Sequence, residues 1–180
     1  MDATITIGGP HGTGKSTYAK IISKELGIRY VSAGQLFRDL AREKGVNLEE
    51  LSKEAAEHSE IDQMIDERSA EEAKKGGVVI EGQLAAWMAR NTAQVRICLK
   101  APDRVRFTRI AHRDNITHET AEKKTRERER TQRSRYKRYY GIDVDDMSVY
   151  NLILNTGNQP VESVSRELLS TIRRMMKKDI

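Results

Sequence analysis

Apolar positions along this chain fall into two alternating periods. Five short runs predict strands: Thr4–Ile7, Ile28–Ser32, Val78–Glu81, Val95–Leu99 and Leu152–Asn155. Val78-Val79-Ile80 and Leu152-Ile153-Leu154 are continuous apolar stretches, the pattern of strands buried on both faces. Helical spacing fills the intervals. One segment runs from Tyr18 to Leu26, and three more, roughly 34–45, 48–57 and 59–75, separate the second strand from the third. Pro102 and Asp103 suit the first turn of a helix reaching about Arg113. A break at Asp114-Asn115-Ile116 precedes Thr117, a cap for a helix ending near Tyr140, before Gly141. A last helix is expected over Val161–Lys178. The alternation predicts an α/β fold: one domain, residues 1–180, with a five-stranded parallel sheet and helices on both faces. Three helices between two strands form a lobe inserted at 32–75.

The turn after the first strand carries the chemistry. In Gly8-Gly9-Pro10-His11-Gly12-Thr13-Gly14-Lys15-Ser16-Thr17, Gly9 is followed after four residues by Gly14-Lys15-Ser16. This is the P-loop spacing, in its strand–loop–helix context. Glycines let successive N–H groups point inward without a Cβ in the way, and the helix start adds its positive dipole end. Lys15 suits the β- and γ-phosphates, Ser16 a Mg²⁺ ion, and Thr17 an α-phosphate. His11 is expected to contribute mainly its backbone.

Length and charge refine the picture. The chain has 180 residues, a net charge of +5 and one cysteine, Cys98, which sits in a predicted strand as a buried thiol. No apolar run reaches the roughly 18 residues of a membrane span. The chain enters its first strand at once, so no signal or transit peptide is expected, and a cytoplasmic setting follows. Charge is uneven: residues 104–138 hold 13 Lys/Arg against 5 Asp/Glu, whereas residues 39–72 hold 12 acids against 4 bases. The basic segment suggests an anionic ligand.

Further candidates lie at predicted strand ends. Ser32 or Gly34 starts a helix in which Arg38 sits about one turn in, a fork suited to phosphate. Glu81 ends the third strand, where a carboxylate holds Mg²⁺ directly or through water. Arg109 and Arg113 share a helical face, as do Arg128 and Arg135 two turns apart. Converging arginines suit phosphoryl transfer, where charge spreads over the moving group. Arg104, Arg106 and Arg138 read as solvated charges. Tyr136, Tyr139 and Tyr140 read as helix-end packing, and Trp87 and Met88 as packing on the sheet.

At this point the chain resembles a nucleoside monophosphate kinase, and within that group the archaeal-type cytidylate kinases. The resemblance covers nearly the whole length. It rests on Ser32-Ala33-Gly34 with Leu36-Phe37-Arg38, Glu60-Ile61-Asp62, Glu81-Gly82 with Leu84-Ala85, Arg128-Glu129 with Arg135-Tyr136, Tyr139-Tyr140-Gly141-Ile142-Asp143, and Tyr150. It implies a P-loop kinase fold in which the lobe at 32–75 binds the monophosphate and a short lid lies at about 113–120. Gly9, Pro10, His11, Gly12, Thr13, Gly14, Lys15, Ser16 and Thr17 would hold ATP phosphates. Ser32 and Arg38 would contact the acceptor, Arg109 and Arg113 would border the lid, and Arg128 and Arg135 would clamp the transition state. By chemistry alone, a carboxylate or amide acceptor prefers the cytosine amine, and Asp62, Gln63 and Gln83 are candidates for it. The implied reaction turns CMP or dCMP into its diphosphate with ATP and Mg²⁺, by a monomer with no nucleic-acid partner.

Three positions depart from that family's pattern. Gln83 stands where it has Arg, Gln132 where it has a carboxylate, and Asn151 where Asp is common. Losing a charge-assisted contact at 83 would weaken monophosphate binding by about 1.5–3 kcal/mol. Other readings of the residues are a UMP, AMP or shikimate-type kinase, a nucleic-acid-binding P-loop NTPase using the basic segment, and a nucleotide binder with weakened catalysis.

Overall fold

The computed structural model describes residues 2–157 and 159–177. Its strands are β1 (Thr4–Gly8), β2 (Arg29–Ser32), β3 (Val78–Glu81), β4 (Val95–Lys100) and β5 (Leu152–Asn155). They form one parallel sheet in the order β2-β3-β1-β4-β5. The helices are α1 (Lys15–Leu26), α2 (Ala33–Lys44), α3 (Leu48–Glu57), α4 (Ser59–Lys74), α5 (Ala85–Met88), α6 (Asp103–Asp114), α7 (His118–Tyr140) and α8 (Val161–Met176). Lys178, the expected end of the last helix, lies outside the described residues. No helix among the described residues is long and apolar enough to cross a membrane.

Strand alternation sends side chains to two cores. Ile5, Ile7, Val79, Val95, Ile97 and Leu99 meet Tyr18, Ala19 and Ile22 of α1 and Val164, Leu168 and Ile172 of α8. On the opposite face Val78 and Ile80 meet Ala73 of α4 and Ala85 and Ala89 around α5. Cys98 is buried, as expected. β3 is buried along its length, but β5 alternates half-buried and exposed, with Ile153 46% exposed. The expectation that β5 is covered on both faces is therefore wrong. Its apolar run reads like that of an interior strand, but it lies at the sheet edge.

The inserted segment has its own small core of Ala41, Leu51, Ala55 and Ile61, joined by Phe37, Leu40 and Val46. Three helices start at side-chain caps. Ser32 caps α2, Asn47 makes a capping box with Glu50, and Thr117 caps α7. Asn115 adopts φ 53° between α6 and α7, so the break there is a tight left-handed turn. The short α5 was not anticipated: at Ala85–Met88 it is one turn, too short to leave a periodic signal.

Candidate active site

Parallel register brings three strand ends together. Ser32 pairs with Glu81 across β2 and β3, and Ile7 pairs with Glu81 across β1 and β3. The C-terminal ends of these strands, where α/β sheets bind ligands, thus line up beside the glycine-rich turn. In that turn Gly9, Gly12 and Gly14 have φ of 119°, 79° and 91°. A Cβ on Gly12 would come within 2.6 Å of the Arg106 carbonyl oxygen, so only glycine lets the loop lie this close to α6.

The loop is braced from within and from outside. Thr13, fully buried, donates to the Pro10 carbonyl at 2.9 Å. The Lys15 ammonium donates to the Gly9 and Pro10 carbonyls at 2.8 and 2.9 Å. Burial pushes its pKa down to about 8; Arg128 and Arg106 add to this, while Glu81 and Glu129 oppose it. The His11 N–H donates to Glu129 at 3.0 Å, and the His11 carbonyl accepts from Arg106 at 2.8 Å. Arg106 is 4% exposed and pairs with Glu129 at 2.6 Å and Asp103 at 2.8 Å. It is a buried strut between loop, α6 and α7, which overturns its reading as a solvated charge.

Glu81 gathers hydroxyls. Its Oε1 accepts from Ser32 at 2.6 Å, Ser16 at 2.8 Å and Tyr30 at 3.1 Å. Carboxylate and hydroxyl oxygens are the hard donors that Mg²⁺ prefers, so these residues fit that ion. Among the described residues no group of three or more His, Cys, Asp and Glu could hold a metal.

The arginines divide by what holds them. Arg128 is in none of the ion pairs among the described residues, although Arg38, Arg113 and Arg135 are near enough to repel it. It is open to solvent yet hemmed in by protein. Desolvation first, then its cationic neighbours, push its pKa down. Arg38 donates to Gln35 at 2.9 Å with its guanidinium exposed, and Arg113 pairs with Asp114 at 2.7 Å. Arg135 is committed: its Nε lies 2.5 Å from Asp62 Oδ2, and both side chains are buried. Arg109 turns to the other side of the loop, donating to the Thr156 carbonyl at 2.7 Å, the Thr156 hydroxyl at 3.0 Å and the Gly12 carbonyl at 3.4 Å.

Asp62 therefore meets a cation rather than an open base pocket, and it belongs to a seam between lobe and α7. Tyr140 donates to Asp66 at 2.8 Å, and Tyr139 donates to the Ala55 and Ala56 carbonyls at 3.1 and 2.9 Å. Burial, with Asp62 nearby, raises the Asp66 carboxyl to about 7. Gln83 and Gln132 both approach the His11 imidazole, so His11 contributes its side chain as well as its backbone. Asn151 bridges β4 and β5. Its Oδ1 accepts from the Arg96 N–H at 2.7 Å and its Nδ2 donates to the Gln94 carbonyl at 2.9 Å. An ionised Asp would accept the first bond but could not donate the second.

Three contributors escaped sequence reasoning, Tyr30, Arg106 and Thr156, and Glu129 was quoted beside Arg128 without a role. Thr156 follows the C-terminal end of β5, so the strand-end rule that singled out Ser32 and Glu81 would have reached it. Arg106 carries no local signal, because a buried arginine and a solvated one look alike in sequence.

Comparison with known proteins fits this geometry. The model of the cytidylate kinase-like family matches residues 4–158. The chain is 48% identical to a cytidylate kinase of Aeropyrum pernix, over 93% of this chain and 98% of that one. It is 46% identical to a cytidylate kinase of Methanocaldococcus jannaschii, over 96% and 99%. Among solved structures, a shikimate kinase from Bacteroides thetaiotaomicron aligns with TM-score 0.65 at 15% identity, over 96% of this chain and 99% of that one. A gluconokinase from Sinorhizobium meliloti aligns with TM-score 0.65 at 16% identity, over 98% and 95%. The last two likenesses show the fold, a P-loop kinase sheet. The chain belongs to the cytidylate kinase-like family.

Proposed function

We propose that this chain moves the γ-phosphoryl group of ATP onto the phosphate of CMP, and of dCMP. The observation that carries this is Arg128 with Arg38 and Arg113. These cations converge beside the glycine-rich loop, and none of the pairs among the described residues neutralises Arg128. An arginine without a carboxylate partner, among other cations next to a phosphate cradle, suits two phosphate chains meeting end to end.

The loop from Gly9 to Thr17 would hold the ATP phosphates through its N–H groups, and Lys15 would leave the Gly9 and Pro10 carbonyls to meet them. Ser32, Arg38 and Gln83 would receive the acceptor. Asp62 would act through Arg135, fixing a guanidinium that would meet the transferring phosphoryl group from the lobe side. Arg109, tied to Gly12 and Thr156, would steady the loop from behind and border the lid. Ser16 and Glu81 would hold Mg²⁺, which when bound spreads charge over the phosphoryl oxygens. No strong general base is needed, because a phosphate oxygen is already a competent nucleophile. The lobe at 32–75 and the lid at about 113–120 would close over the pair and exclude water, the competing acceptor. The relatives' names support cytosine as the base. The proposal includes action as a cytoplasmic monomer whose partners are nucleotides alone.

The test is ADP release with CMP, dCMP, UMP, AMP, GMP and shikimate offered separately under saturating ATP. CMP and dCMP are expected to turn over fastest; a preference for any other acceptor overturns the proposal.

A further inference from the structure

The two glutamines that stand where the family pattern has charged residues meet at one atom. His11 Nε2 lies 2.8 Å from Gln132 Oε1 and 3.3 Å from Gln83 Nε2. The three side chains come from the phosphate loop, from α7 and from the turn after β3. One ring nitrogen of a neutral imidazole cannot satisfy both. With a proton it donates to the Gln132 carbonyl and has nothing to offer the Gln83 NH₂. With a lone pair it accepts from Gln83 and repels the Gln132 oxygen. Burial, then Lys15 and Arg128, hold the His11 pKa well below its usual value, so the ring keeps one proton and the choice is exclusive. The shorter contact places that proton on Nε2, toward Gln132, and leaves the Gln83 amide unclaimed.

We propose that His11 is a positioning residue through which Gln132 keeps Gln83 available to the acceptor phosphate. With Gln132 in place, its carbonyl takes the Nε2–H and Gln83 donates to the acceptor. Without the Gln132 carbonyl, the proton sits on Nδ1, and the Nε2 lone pair captures the Gln83 amide. The ring keeps one proton throughout, so neither charge nor proton count changes. Neutral amides suit this selection, because a guanidinium at 83 would seek the acceptor phosphate whichever tautomer His11 held. Only the identity of the acceptor rests on the proposed function; the selection itself does not.

The experiment is ¹⁵N NMR of the His11 imidazole in the whole protein without substrates. Wild type is expected as the Nε2–H form, and Gln132→Leu and Gln132→Ala as the Nδ1–H form. The same tautomer in wild type and both variants overturns the proposal. In turnover, Gln132→Leu is expected to raise the KM for CMP about three- to tenfold, with kcat changed much less. That rise should vanish in a His11→Ala background, and a rise of equal size in both backgrounds also overturns the proposal. Wild-type protein inactive toward CMP would overturn the functional reading, and the tautomer comparison would still decide this one.

Discussion

The donor half of the site and the acceptor half are built differently. The donor half is a backbone structure: glycines at positive φ, a helix start, and a lysine and a serine adjacent in sequence. The acceptor half is a side-chain structure, in which the lobe is fastened to α7 by Arg135 on Asp62, Tyr140 on Asp66 and Tyr139 on Ala55 and Ala56. The first takes its shape from local geometry and is braced by distant partners such as Glu129 on His11; the second consists of distant partners alone, as with Tyr140 and Asp66, 74 residues apart. A change in the donor half should thus stop chemistry and spare the fold. A change in the seam should loosen the fold first.

The largest expected effect tests the seam. Arg135→Met leaves Asp62 buried without its cation and should cost about 3–5 kcal/mol of stability in urea titration. The double variant with Asp62→Asn should recover part of that loss. A cost below about 1 kcal/mol would mean that the pair behaves like an exposed one and the seam is not a fastening.

Next comes the donor half. Lys15→Ala should lower kcat by about 10²–10³-fold in steady-state assays with Tm near wild type. A large fall in Tm would break the contrast between the halves.

Asp66 sharpens the comparison through pH. Its carboxyl holds a proton up to about pH 7 when folded, against about 3.8 for an ordinary aspartate. Between these values the folded chain binds more protons than the unfolded one. Its contribution is therefore complete below about pH 4 and declines as pH rises through about 7. Asp66→Asn keeps a neutral acceptor for Tyr140, so it should flatten this part of the Tm–pH curve and raise Tm by a few degrees at pH 8. An unchanged curve would exclude Asp66 as the cause.

The smallest effect lies in the donor half. Because burial holds Lys15 near pKa 8, kcat/KM for ATP should fall as pH rises above about 8 and the ammonium loses its proton. kcat should decline less, since bound phosphates favour the charged form. A profile flat to pH 9 in kcat/KM would contradict the buried, weakened ammonium.

The contrast also explains what the sequence revealed. The strands, the turn at Gly9–Gly14, the caps at Ser32 and Thr117 and the stop at Asn115 depend on neighbours within a few residues, so local pattern located them. The alternation foretold a parallel sheet, but the register that sets Ser32 opposite Glu81 depends on which strands are neighbours, and local pattern does not reveal that. Arg106 was misread because its burial depends on Glu129, which lies on another helix. β5 was misread because an apolar run does not reveal whether its strand is interior or edge. Gln83 and Gln132 looked like two separate departures, and only the fold brings both to His11.

The most direct test of the central claim follows phosphorus itself. ³¹P NMR of the protein with ATP, Mg²⁺ and CMP should show the β-phosphorus signal of CDP growing in step with ADP, with no inorganic phosphate. Release of inorganic phosphate with ADP while CMP stays unchanged would contradict it.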